Sequence, residues 1–365
     1  MKITTKILIL PLLVFFIGAV FIKSAEAKEV MKIVRGRIIK VEKSVQGSVA
    51  DSKKETQSIT VKVLQGEYKD KLLKIERIMT GNPVYDIVLE KGDEVLLRLG
   101  IEGKRITQAC IQEYARDKHL RYLVAAFFLL LIIIGGFKGF KASVTLVITA
   151  LALVKILLAF ILKGYDPIYL AILTAALVTI ITLTIIGGIT RKTIAAIIGT
   201  IGGVSAAGAV ALNVGGAAKI TGFSEENVHL LMYIPETLHI DFKGLLFAGM
   251  IIGALGAVMD VGMSIASSVE EVKRVNPRLG FISLIRAGMN VGRDIMGTMA
   301  NTLILAYTGG ALPLLLVFMS INTSFIHIIN LDFISTEIVR ALAGSIGLIL
   351  AIPLTTVIAS LLLSL

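Results

Sequence analysis

Two carboxylates sit in stretches apolar enough to be buried in a bilayer. Asp260 lies well inside GLLFAGMIIGALGAVMDVGMSIASS (244–268), and Asp294 comes near the start of GRDIMGTMANTLILAYTGG (292–310). A carboxylate inside a membrane-length segment costs on the order of 2.5–3.5 kcal/mol on insertion scales, so it should face a partner or a water-filled cavity. Asp294, Thr298 and Asn301 fall at i, i+4 and i+7 and therefore share one helical face. Gly256, Asp260, Ser264 and Ser268, spaced by four, make a polar, small-residue stripe on the preceding helix. Facing stripes of this kind let helices approach and hydrogen-bond.

The chemistry that needs such groups is movement of a proton or cation. An ionisable side chain changes charge away from bulk water, and neighbouring amides and hydroxyls stabilise one state. The plainer alternative is that Thr298 and Asn301 hydrogen-bond Asp260 and join two helices. Asp294, beside Arg293, also suits an interfacial salt bridge or a helix start. Lys155, in SVTLVITALALVKILLAFILK (143–163), is a further intramembrane charge, paired with an acid or snorkelling to the surface. Its height differs from that of Asp260, so no direct bond between them is expected.

The elements that must hold these residues are membrane spans. The chain is 55% hydrophobic, lacks Trp and carries 34 Gly, a composition suited to close-packed membrane helices rather than a soluble core. Seven apolar runs approach the ~20 residues needed to cross a bilayer: 120–138, 143–162, 167–188, 193–213, 243–266, 294–320 and 338–362. The formal charge of +11 is better explained by span orientation than by nucleic-acid binding. Lys2, Lys6, Lys138, Lys141, Arg191, Lys192, Lys273, Arg274, Arg278, Arg286 and Arg293 fall on one side, predicted cytoplasmic together with the C-terminus. Residues 294–329 are too long for one crossing, so Gly309–Pro313 is expected to be a kink, a broken helix or a turn. The fourth run is packed with small residues, including Gly199, Gly202, Gly203 and Gly208, as tight helix contacts require.

Residues 1–27 read as a signal or an uncleaved membrane anchor. Residues 28–118 alternate apolar with charged positions. Short strands are expected at 30–43, 58–64, 71–78, 85–90, 94–99 and 105–114, and a mobile loop at 44–57. That suits a small extracytoplasmic β-barrel-like domain, OB-like in size. The fold class is thus a polytopic α-helical membrane protein with such a domain, the helical core occupying 119–365. Between the fourth and fifth runs, Ser224 starts a short surface helix. The nearby His229, Glu236, His239 and Asp241 match no standard metal-ligand spacing. Cys110 is the lone cysteine, so no internal disulfide can form. No cofactor or metal is expected, and no Gly–Lys–Ser/Thr phosphate cradle or nucleophile–base pair points to an enzyme.

The runs 244–272 and 292–316, with the tail EIVRALAGSIGLILAIPLT (337–355), resemble the YibE/F-like multispanning membrane proteins of bacteria. The resemblance covers nearly the whole chain. It implies an integral plasma-membrane protein and carries over no biochemical activity, only the motif positions Gly256, Asp260, Glu271, Asp294, Gly297, Asn301 and Thr302. A fainter similarity is to resistance–nodulation–division transporters, which also place an Asp in a Gly-rich span. Here, however, four spans separate the outer domain from the Asp-bearing helix. The expected function is a secondary transporter or exporter coupled to protons or ions, its partners the lipid bilayer and a small solute or ion. The alternative is a non-transporting scaffold whose outer domain binds an envelope protein.

Overall fold

The computed structural model describes residues 31–45, 55–79, 82, 86–102, 105–223, 241–320 and 324–364. The expected anchor at 1–27, the surface helix after Ser224, and His229, Glu236 and His239 lie outside these residues. Contacts divide the chain into two compact units, Met1–Ala125 and Ala126–Leu365.

Among the described residues the first unit holds five antiparallel strands: β1 (Met31–Val45), β2 (Glu55–Val63), β3 (Leu72–Ile78), β4 (Glu94–Glu102) and β5 (Arg105–Tyr114). They run in the order β3-β2-β1-β4-β5, so β1 is central. Strict alternation buries Ile59, Val61 and Val63 of β2 and Val95, Leu97 and Leu99 of β4 around Ile38. This is the period-2 pattern of a one-sided core. Two differences from the sequence expectation stand out. Ser44 and Val45 pair with Thr56 and Glu55, so part of the expected mobile loop is a hairpin extension. Residues 86–90 form no strand; they fill the gap between the two edge strands instead. Arg77 of β3 donates to the Ile87 carbonyl at 3.0 Å, and the Tyr114 hydroxyl of β5 donates to the Val88 carbonyl. The sheet is thereby nearly closed, as a small barrel requires.

At the end of the barrel Arg35 holds both oxygens of Asp117 at 2.5 Å, and Arg37 bonds Glu94 at 2.7 Å. The hydrogen bond from Arg37 holds the Glu94 carboxyl below its ordinary value of 4.5. A carboxyl lowered in the folded state adds stability above its unfolded value, and that stability is lost as pH falls through the folded value. Glu94→Gln should therefore lower the thermal stability of the barrel at pH 7, and by less at pH 3. Limited proteolysis of the full chain against temperature reads this out. An equal gap at both pH values would contradict it.

The second unit is helical, and the chain is a membrane protein. The run α1 (Asp117–Ile161) is followed by α2 (Pro167–Gly187), α3 (Arg191–Ala217), α4 (Phe242–Val275), α5 (Phe281–Gly310), α6 (Leu312–Ser320), α7 (Phe325–Ile329) and α8 (Asp332–Ser364). Side chains set the starts: Asp166 accepts from Ile168 and Tyr169, Thr190 from Thr193, and Asp241 from Gly244. Among the described residues five helices are long and apolar enough to cross a membrane, or six if the bent pair α5–α6 is one span, against the seven expected. The difference lies in α1, which joins two expected runs. Its 45 residues would reach about 68 Å if straight, over twice the hydrocarbon thickness. At Gly136 the backbone turns to φ 53°, ψ −129°, and a Cβ on Gly139 would strike the Leu131 carbonyl. The run therefore doubles back at Gly136, three residues before the expected link at 139–142.

The Gly309–Pro313 stretch is a break that bends α5 against α6 by 64°. Asp332, at the start of α8, accepts from the Thr221 hydroxyl at 2.6 Å. At the other end Arg191 donates to the Leu362 carbonyl at 3.0 Å. Thus α8 runs from the Thr221 end to the Arg191 end, antiparallel to α3.

Candidate functional site

The core of the helical unit is built on glycines of α3, α4 and α8. A Cβ on Gly203 would lie 2.7 Å from both the Ala351 Cβ and the Gly347 carbonyl. A Cβ on Gly347 would in turn lie 2.6 Å from the Gly203 carbonyl. Backbones this close leave no room for side chains between α3 and α8. Against that pair α4 packs Ala254, Val258, Val261 and Ile265, all buried.

The helices α4 and α5 touch along one antiparallel register. Gly288 meets Val269, and Gly292 meets Ile265. Extended along both helices, that register sets Asp260 at the height of Gly297 and Gly256 at the height of Asn301. Asn301 is therefore about one turn away from Asp260 along the axis, roughly 6 Å.

Contrary to the expectation from the sequence, the two polar stripes do not face one another. Gly249, Gly253, Gly256, Asp260 and Ser264 lie on the exposed side of α4; Asp294, Gly297, Thr298, Asn301 and Thr302 lie on the exposed side of α5. The helices pack instead through Ile265, Val269, Gly288 and Gly292. A Cβ on Gly256 or Gly297 would meet nothing within 4 Å. Asp260 and Asn301 stand at two levels of this exposed strip along α4 and α5, here termed the notch.

Within it the hydroxyls are satisfied locally: Thr298 donates to the Ile295 carbonyl and Thr302 to the Thr298 carbonyl, both at 2.9 Å. The expected bonds from Thr298 and Asn301 to Asp260 are absent. Among the described residues neither Asp260 nor Asp294 has an ion-pair partner within 4.0 Å. Glu271 stands apart from the notch, near the end of α4, bonded to Arg274; beside it Glu270 pairs with Lys192 of α3 at 2.5 Å.

Lys155 lies elsewhere, exposed on a π-helical turn, Leu153–Leu158, within α1. Such turns widen a helix by one residue and frequently mark functional positions. Tyr307 was not legible as a site residue, being out of phase with the Asp294 stripe. Its hydroxyl lies 2.6 Å from where a Cβ on Gly253 would sit, at the far end of the notch. Among the described residues no group of three or more His, Cys, Asp or Glu could hold a metal ion.

Residues 123–365 match the family model described as YibE/F-like protein, and residues 25–114 match the YibE/F family N-terminal domain. Comparison with curated proteins and with solved structures gave no match in either set. With both the helical unit and the barrel accounted for, the chain belongs to the YibE/F-like protein family.

Proposed function

We propose that this protein is a secondary transporter or exporter of a small solute or ion, coupled to a proton or cation that Asp260 binds and releases. The observation that carries the reading is the position of Asp260 itself. It lies 18 residues from the start of α4 and 15 from its end, on an exposed face, without a partner among the described residues. A carboxylate at that depth is unfavourable against hydrocarbon but tolerable against a water-filled cavity. The neighbouring Gly256 and Gly297 supply the room, and Asn301 offers an uncharged hydrogen-bonding group one turn away. On this reading the protein moves its substrate without transforming it.

Orientation follows from the charges. Arg191, Lys192, Lys273, Arg274 and Arg278 collect at one end of the helical unit, the end where α8 also finishes. The positive-inside rule puts that end in the cytoplasm of a bacterial plasma membrane, with the barrel outside.

The test is thiol labelling of single cysteines after Cys110 is replaced. Positions 256, 260, 297 and 301 should react with a water-soluble reagent, whereas 258 and 265 on the packed face should not. A notch as unreactive as the packed face would overturn the reading.

A second reading, a scaffold whose barrel binds an envelope protein, is favoured by one feature. Leu72 and Ile78 are exposed on β3, which is an edge strand. Exposed apolar side chains of this kind offer a partner protein surface to bury. It predicts that lysine at both positions abolishes function while the Asp260 face tolerates change.

A further inference from the structure

Serine and threonine in membrane helices usually turn their hydroxyls back onto the carbonyl one turn earlier. Thr179, Ser345 and Ser268 do so here, donating to Ala175, Ala341 and Ser264. Seven other buried hydroxyls do not. Besides Thr174 and Thr182 of α2 and Thr336 near the start of α8, these are Thr200 of α3 and Thr355, Thr356 and Ser360 of α8, four fully buried groups with no partner among the described residues.

These four groups are not scattered. The point that a Cβ on Gly262 would occupy is 2.8 Å from the Thr200 hydroxyl, 3.3 Å from the Ala196 carbonyl and 3.6 Å from the Thr355 hydroxyl. Oxygens from two helices thus converge on a glycine of the third. The Thr356 hydroxyl lies 3.2 Å from the equivalent point on Gly288 of α5. Ser360 is one helical turn further along α8, just before Leu362 and the Arg191 contact.

One turn is about 5.4 Å, close to the span of two hydrogen bonds through one water oxygen. Isolated buried hydroxyls are unfavourable, and internal water typically satisfies about three such groups at once.

We propose that Thr200, Thr355, Thr356 and Ser360 hold a short chain of internal water molecules. The chain enters at the Arg191–Lys192 end and rises between α3, α4, α5 and α8. It ends at Gly262, two residues from Asp260 in height but about 200° around α4, on the opposite face. This inference does not rest on the transport reading, because it concerns the packed side of α4 and not the notch.

The experiment uses the full chain in lipid nanodiscs and reads thermal stability. Thr200→Val and Thr355→Val keep the shape and remove the hydroxyl. Each should lower Tm by about 2–4 °C. The double variant should lose little more than either alone, because both remove the same bridged water. Thr355→Ser should stay at the wild-type Tm. A rise in Tm on valine substitution would overturn the proposal, since it would mean the hydroxyls were simply unsatisfied. Equal losses in Thr355→Ser and Thr355→Val would also overturn it, in favour of methyl packing. A Tm that falls when sodium is exchanged for choline, and no longer does so in Thr355→Val, would overturn it in favour of a bound cation. Asp260→Asn should leave all these Tm differences unchanged whether or not it stops transport.

Discussion

Gly203→Val should leave little folded protein in the membrane. A Cβ at this position would stand 2.7 Å from the Ala351 Cβ, 2.7 Å from the Gly347 carbonyl and 2.9 Å from a Val258 methyl. Two of these atoms cannot move without moving a helix, and valine adds two further methyls behind the first clash. Overpacking a well-filled core typically costs about 1–3 kcal/mol, and a forced separation of backbones belongs at or beyond the upper end. The contact is reciprocal, because Gly347 sits equally hard against the Gly203 carbonyl. Relief on one helix therefore loads the other. Size-exclusion profiles and Tm of the solubilised protein would measure the effect. Gly216→Ala, later in the same helix with nothing within 4 Å, is the control and should behave as wild type. A Gly203→Val protein with normal yield and Tm would mean that α3 and α8 do not approach in this way.

The small-residue pattern of α3 was legible in the sequence because close contact between membrane helices needs Gly and Ala at a regular spacing. The barrel was legible for a different reason. Every second residue is apolar from Ile59 to Val63 of β2 and from Val95 to Leu99 of β4, and these side chains point into the core. The β1–β2 hairpin extension was not legible, since Ser44 pairs with Thr56 through the backbone and needs no apolar side chain there. In α1 the hydropathy marks two runs but not the place of the break, which is set by the positive φ at Gly136.

The candidate site was half legible. Spacing by three and four shows that Asp294, Thr298 and Asn301 share a face. It does not show what that face meets. Water sorts the faces of a soluble helix into apolar inside and polar outside, but lipid tails give no comparable drive. The helix α4 illustrates the difficulty, with Gly244 and Gly262 buried and Gly249, Gly253 and Gly256 exposed. Either face would pass for the packed one until the contacts of Gly288 and Gly292 are known. The unsatisfied hydroxyls of Thr355 and Ser360 were invisible for a similar reason, since only tertiary packing shows that their usual partners are not taken.

If the proposed transport function holds, two substitutions in the notch should stop flux by different physical routes. Asp260→Asn removes the only exposed carboxyl on the membrane-embedded stretch of α4 and leaves its size unchanged. Proton flux into proteoliposomes, driven by an imposed pH gradient, should fall at least about tenfold, a change that needs only ~1.4 kcal/mol in the barrier. Gly297→Leu leaves the carboxyl intact but places four carbons at its height. Because a Cβ there meets nothing within 4 Å, the fold should not resist the change. Leucine also favours a helix over glycine by about 0.8–1 kcal/mol, so Tm should hold or rise slightly. The informative result is the combination of an unchanged Tm with lost flux in Gly297→Leu. Packing damage would lower both together, as expected at Gly203, and a site elsewhere would lower neither. Wild-type flux in both Asp260→Asn and Gly297→Leu would remove the notch from the transport path. The exposed carboxylate would then need a partner outside this chain.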